Sequence, residues 1–213
     1  LIDTYLLTRR YDTDYRNWLQ GRIEDQPLPP SSDQLFLQYG QEINQIKSIS
    51  DDVIYHPTKY KPLFGSKAAV DLQASFKVVK NTERVVNDND IKSRVIDAIN
   101  TYFALENWDF GETFYFQELA AYITNQLAPD VVSIVIVPKS ATQAFGSLFE
   151  IKSENDEIFV SAAIVDDVDI IDAITASRLQ ANGEVVTSDQ SLNTGVQSAS
   201  TENSIIITST GNY

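Results

Sequence analysis

The chain has 213 residues and sets 30 acidic side chains against 16 Lys and Arg, a formal charge of −14 that repels phosphate backbones and anionic lipid. It has no cysteine, which excludes disulfides, thiolate metal sites and cysteine nucleophiles, and no apolar run near the roughly 18–20 residues of a membrane span. It also has no methionine, so Leu1 is not a natural start and a fragment or processed product is expected.

Residues 1–7 are strand-like, with Ile2, Tyr5 and Leu7 as candidate buried positions. Asp12, Thr13 and Asp14 offer N-caps for a short helix carrying Tyr15, Trp18 and Leu19. The run QPLPP at 26–30 breaks any helix, because proline fixes φ and removes a donor. Ser31 or Ser32 opens the next helix, with Gln34 as the capping-box partner of Ser31. Phe36, Tyr39, Ile43 and Ile46 then share one helical face and predict ordinary core packing.

Residues 55–67, YHPTKYKPLFGSK, hold Lys59, Lys61 and Lys67 and no acid. Two readings stand for this basic segment. It is a surface linker whose lysines aid solubility, or a docking loop whose partner contacts are Tyr55, Lys59, Tyr60, Lys61 and Phe64.

From Ala68 the period changes. Val70, Leu72, Ala74, Phe76 and Val78 alternate with polar neighbours, as in a strand with one buried face. The NDND run at 87–90 caps a helix reaching about Leu105, with Ile91, Val95, Ala98, Ile99, Tyr102 and Leu105 on one face. NWDFG at 107–111 is a turn. Phe114 and Phe116 lead into a helix aligned on Leu119, Ile123 and Leu127 and stopped by Pro129. Six of the seven residues 131–137 are Val or Ile, which predicts a strand covered on both faces.

Residues 145–152 and 157–165 read as two further strands joined by SEND at 153–156, a turn of hairpin length. Asp166, Asp167 and Asp169 introduce a last apolar segment at 170–179. Beyond Gln180 the chain is rich in Ser, Thr, Asn and Gly, with 185–186 and 205–207 as its strand seeds. The expected fold is α+β: a small mixed sheet with two helices packed on one face, in the order strand-helix-helix-strand-strand-strand. The expected divisions are an N-terminal mixed α/β segment at 1–66, an α+β core at 67–179 and a β-rich polar extension at 180–213.

Candidate chemistry is sparse. His56 is the only histidine, and no G-x-S-x-G elbow accompanies it. The D-x-D-like pairs at 12/14, 88/90 and 166–169 lack the later Gly and Glu of a calcium loop and suit helix caps. Gly65-Ser66-Lys67 lacks the first glycine of a phosphate loop. No pair of carboxylates is singled out for glycoside hydrolysis. The reading is therefore of a protein that is not an enzyme and has no catalytic, cofactor-binding or metal-binding residues.

The string NTYFALENWDFGETFYFQELAAYITNQLAPDVVSIVIVP at 100–138 resembles the C-terminal region of baseplate J-like proteins, and most closely the large wedge subunits of T-even-type contractile phage baseplates. In that family a helix ends in a short turn with a glycine, a second helix follows, and a strand comes next. Gly111 supplies the turn here and Val131-Val132 the strand start, while Asp130 stands where the family carries glycine. The resemblance extends over 68–179 and 1–65 and leaves the tail after Gln180 uncovered. It implies a virion structural protein of the tail baseplate, assembled in the host cytoplasm, that forms a homodimer and contacts other wedge proteins. It implies a ring that rearranges when the tail contracts; the acidic charge, separately, predicts no nucleic-acid or membrane partner. The alternative is a small-ligand-binding regulatory α+β domain, suggested by the loops at 107–111 and 138–146 meeting at one end of the sheet.

Overall fold

The computed structural model describes residues 2–46, 52–85, 87–139, 150–181 and 186–187. The α+β expectation holds, with five helices and several small mixed sheets among these residues. None of the helices is long and apolar enough to cross a membrane.

The first strand, β1 (Ile2–Leu6), leads into helix α1 (Arg9–Leu19). The cap of α1 is Thr8, not Asp12 to Asp14: its Oγ1 accepts the Tyr11 N–H at 3.3 Å. The earlier start brings Tyr11 onto the buried side with Tyr15 and Trp18. Asp12 instead lies in the first turn, where it receives Arg16 Nε at 2.7 Å. Ile2 is not buried but 43% exposed, because β1 lies in a ladder of only two strands.

Helix α2 (Ser32–Ile46) begins as the sequence predicts. Gln34 N–H donates to Ser31 Oγ at 3.3 Å, and Ser31 N–H donates to Gln34 Oε1 at 2.9 Å. Its buried face is shifted, however. Leu35 and Gly40 are buried, whereas Phe36 is 54% exposed; Ile43 and Ile46 fall outside the described side chains. One strand is the main neighbour of α2, so a narrow stripe suffices.

The basic segment is no loop. It forms β2 (Val53–Pro57) and β3 (Lys59–Leu63). Strand β2 pairs in parallel with β1, and β3 pairs in parallel with β8 (Glu157–Ser161). Phe64 follows at φ 80°, a costly conformation for a bulky residue. Its ring is fully buried against Phe76, Phe103, Phe114 and Phe116, at centroid distances of 5.1 to 6.1 Å.

Phe64 also explains why the predicted strand starts late. Its N–H donates to Leu72 O and its carbonyl accepts from Ala74 N–H, so Val70–Leu72 curls into a 3-10 turn with Val70 64% exposed. Strand β4 begins only at Ala74 and runs to Lys80.

Helix α3 (Asp88–Tyr102) is capped by Asn87, whose Oδ1 accepts the Asn89 N–H at 3.0 Å. It buries Ile91, Val95, Ala98 and Ile99 as predicted, but ends before Leu105, which is 40% exposed in a 3-10 turn. Gly111 turns the chain at φ 75° into β5 (Thr113–Tyr115) and α4 (Phe116–Leu127). Strand β6 (Val131–Pro138) follows the cis Ala128–Pro129 peptide.

The central sheet has β6 antiparallel to β4, β9 (Val168–Ile170) parallel to β4, and β10 (Val186–Thr187) on the far edge of β6. Helices α3 and α4 cover one face, packing Ile99, Leu119 and Ile123 with Phe76, Val78, Ile134 and Ile136. Helix α5 (Ala173–Ala181) closes the other, with Ala176 on Val79 and Val135. That two-sided cover is what the Val and Ile run predicts, although Val132 is 56% exposed.

Two sequence expectations fail at the end of the core. Strand β7 (Glu150–Lys152) and β8 are not a hairpin pair: β7 pairs with β5 while β8 goes to β3. The SEND turn closes through Glu157 N–H and Glu154 O at 2.9 Å, but longer-range pairing decides where each strand lies. The acidic run does not cap α5 either. Asp172 Oδ1 accepts the Thr175 N–H at 2.6 Å, whereas Asp169 pairs with Lys77 on the neighbouring strand. Residues 145–149, the 205–207 seed and most of the 180–213 extension fall outside the described residues.

Candidate functional site

The five docking candidates divide into two groups. Tyr55, Tyr60 and Phe64 are core residues, exposed by 4%, 6% and 0%. Tyr60 stacks on Tyr11 and packs at a tilt against Tyr15, and its hydroxyl donates to the Asp12 carboxylate. Burial first, and then the Asp12 carboxylate, push the Tyr60 phenol well above its ordinary value.

Lys59 and Lys61 stay at the surface, but both face acids of the chain itself. Lys61 Nζ is 3.1 Å from Glu157 Oε2 and 2.9 Å from Lys152 O, and Lys59 Nζ is 3.6 Å from both Asp156 and Glu157. For Glu157, burial raises the pKa, but the Glu154 N–H and the two lysines outweigh it and hold the carboxyl below the usual range. Lys67 donates to Trp18 O and lies 4.4 Å over the Trp18 ring. Lys59 and Lys61 thus neutralise the acids at the start of β8, and Lys67 serves the C-terminal end of α1.

A second location includes the 107–111 turn that the sequence suggests for a ligand site, while most of its expected companion, 138–146, lies outside the described residues. A cleft of about 550 Å³ opens where the end of α3, the 107–112 turn, β5 and α4 meet. Tyr102, Trp108, Tyr115 and Tyr122 supply its aromatic walls, and Glu112 and Glu118 its charge. Trp108 is held by its Nε1–H, which donates to Tyr102 O at 2.8 Å. The Tyr102 ring lies 5.6 Å from Trp108 and 5.3 Å from Tyr122, so the wall is continuous.

Glu112 is fixed by the turn, one carboxylate oxygen accepting the Asp109 N–H at 3.1 Å. Glu118 and Tyr122 share a face of α4, four residues apart. Burial first, then the charge of Glu118 and its hydrogen bond with the phenol, raise the Tyr102 pKa strongly. Among the described residues, neither Glu112 nor Glu118 has a cationic partner. The lining's four aromatics and two acids are among the eight aromatics and four acids of residues 102–122, a density that equally suits core packing.

His56 sits on β2, where its Nε2 is 2.8 Å from Asp3 Oδ1 and its ring stacks on Tyr5 at 5.0 Å. Among the described residues, no three His, Asp or Glu side chains converge as metal ligands.

A third feature is structural incompleteness. The β1–β2, β3–β8 and β5–β7 ladders each have two strands among the described residues; β8 is buried from Ile158 to Ser161 and the Tyr60 N–H of β3 donates to Tyr11 Oη at 3.4 Å, whereas β1 is partly exposed. Two of the three are parallel, an arrangement normally found within larger covered sheets. Beside the first ladder, α2 leaves Leu37 81% exposed and Phe36 54% exposed.

No protein-family profile matches the sequence, and no curated protein matches it either.

Proposed function

We propose that the chain is a structural assembly module of a contractile phage tail baseplate. In this reading it belongs to the wedge, self-associates, and contacts neighbouring wedge proteins in a ring that rearranges on tail contraction. The observation that carries assembly is the parallel two-stranded β1–β2 ladder, beside a helix that exposes Leu37 and Phe36. Two-stranded sheets are marginal alone, and an open edge is a template for a further strand. The baseplate identity rests on the resemblance of the 100–138 string. Its helix, glycine turn, helix and strand fold in that order, and Asp130, at the family's glycine position, meets Arg94 at 2.9 Å and Arg84 at 3.2 Å.

Symmetric self-association is the commonest route to such rings. Light scattering at high micromolar concentration is expected to give a dimer or larger species. A strict monomer there counts heavily against the assembly role.

The cleft favours a second reading, a ligand-binding regulatory domain, since its volume lies within the roughly 300–1,000 Å³ usual for small-molecule sites. Thermal-shift screening with amino acids and nucleotides separates the two. A flat response to every compound removes this alternative.

A further inference from the structure

The lining of the cleft restricts what can enter it. Two carboxylates without cationic partners repel phosphates and carboxylates, and a neutral apolar guest would leave both of them unused. A bare metal ion fits poorly, because the remaining walls are aromatic rings that cannot replace its water ligands. An organic cation satisfies both components. Ring faces attract it through their quadrupoles, and carboxylates accept its N–H donors.

We propose that the cleft formed by Tyr102, Trp108, Tyr115, Tyr122, Glu112 and Glu118 binds a guanidinium group, as carried by an arginine side chain. A guanidinium is flat and weakly hydrated, stacks on aromatic faces, and presents its donors in a rigid in-plane fork. The acceptors are available. Glu112 commits one oxygen to the Asp109 N–H and keeps the other, and Glu118 lines the same cleft as a second carboxylate acceptor. An ammonium bearing only methyl groups could use the rings but would donate nothing to either glutamate. The group could arrive as a free guanidino compound or on a neighbouring polypeptide. The inference rests on the cleft being a binding site and is independent of the assembly role.

The test uses the whole chain and blocked arginine, N-acetylarginine amide, followed by calorimetry and by NMR of the Trp108 indole N–H. Saturable binding with a shift of that resonance is expected. The neutral isostere N-acetylcitrulline amide should bind at least about tenfold more weakly, as should arginine to a Glu112→Gln, Glu118→Gln chain. A short peptide with arginine between glycines separates the sources. Tighter binding than blocked arginine indicates a polypeptide ligand, and equal binding indicates that the side chain alone is recognised; either supports the proposal.

Absence of saturable binding overturns it, as does citrulline binding equal to arginine. Tetramethylammonium binding more tightly than arginine also overturns it, in favour of a quaternary ammonium. The citrulline comparison uses the unaltered protein, so it holds even if the double variant fails to fold. Light scattering on the same sample keeps the two roles apart. A monomer that binds arginine loses only the assembly role, and an oligomer that ignores arginine loses only this one.

Discussion

Lys139, one residue beyond the end of β6, places its ammonium on the carboxylate of Asp167, a side chain only 3% exposed. The other oxygen of that carboxylate accepts the Ile164 N–H at 2.8 Å. The pair ties the exit of the central strand to the turn that begins β9. A carboxylate removed this far from water needs its countercharge.

Replacing Lys139→Met is therefore expected to cost about 1–3 kcal/mol, discounted because the lysine itself is a third exposed. Asp167→Asn should cost less, since an amide oxygen can still accept the Ile164 N–H and no buried charge is stranded. Urea denaturation of the two variants gives the order, and equal costs would show that the ion pair is not what stabilises this corner.

Gly65 marks the closest backbone approach in the β3–β8 region. A Cβ there would lie 1.7 Å from Ala162 O and 2.5 Å from its carbonyl carbon. That strand cannot retreat without losing the Ala162 N–H to Leu63 O bond at 2.9 Å. Gly65→Ala should lower stability by more than about 3 kcal/mol. Gly40→Ala meets only the exposed Phe36 ring, at 3.3 Å, and gains up to about 1 kcal/mol of helix propensity, so it should be neutral or stabilising. Thermal melts of the two alanine variants check the contrast.

Acid should unfold the chain partly through Asp130 and Glu157. Hydrogen bonds from Arg94 and then Arg84 depress Asp130, while Glu157 is depressed against its own burial. Both folded values lie below the unfolded ones, so their contribution is complete above the unfolded carboxylate range of about 4 and disappears as pH falls through the folded values. Asp130→Asn should flatten the acid limb of a stability-against-pH curve. An unchanged limb would exclude the arginine clasp as its source.

Alkali acts with the opposite sign. Burial foremost holds the phenols of Tyr15, Tyr60 and Tyr102 far above their ordinary value. Their contribution is intact below an unfolded value of about 10 and is lost as pH rises toward the folded ones. Ultraviolet titration should show these phenols ionising together with loss of circular dichroism. Their ionisation in a still-folded chain would contradict the burial argument.

Leu37→Glu tests the exposed face of α2. Stability should change by no more than about 0.5 kcal/mol, while the mass in light scattering should fall toward the monomer. Lys59→Ala with Lys61→Ala leaves α2 untouched and costs about 1 kcal/mol through the partly exposed Glu157 pairs. If the double variant dissociates and Leu37→Glu does not, the basic strand is the docking surface after all.

What local pattern encodes was readable in advance. The faces of α3 and α4, the Ser31–Gln34 capping box and the two-sided burial of β6 follow from periodicity and cap chemistry. What depends on distant partners was not. The left-handed Phe64 keeps Leu72 out of the expected strand and delays its start to Ala74, and β3 draws β8 away from β7 across almost a hundred residues. The walls of the cleft beyond the 107–111 turn were not legible for a related reason. Tyr102 and Tyr122 occupy positions that read as core, and only the packing of α3 on α4 shows that their outer edges border an opening.

Trp108 has one more consequence. Its indole stacks on Phe103 at 5.4 Å and meets Phe159 edge-on at 5.3 Å, touching both the main core and the smaller tyrosine-rich cluster around Tyr15. The chain has only two tryptophans, and the other, Trp18, lies within that smaller cluster beneath Lys67. Nature has thus placed one fluorophore at the seam and one on a single side of it. With Trp18 replaced by phenylalanine, all the indole emission would come from the seam, and its colour would register the two halves parting before either had melted.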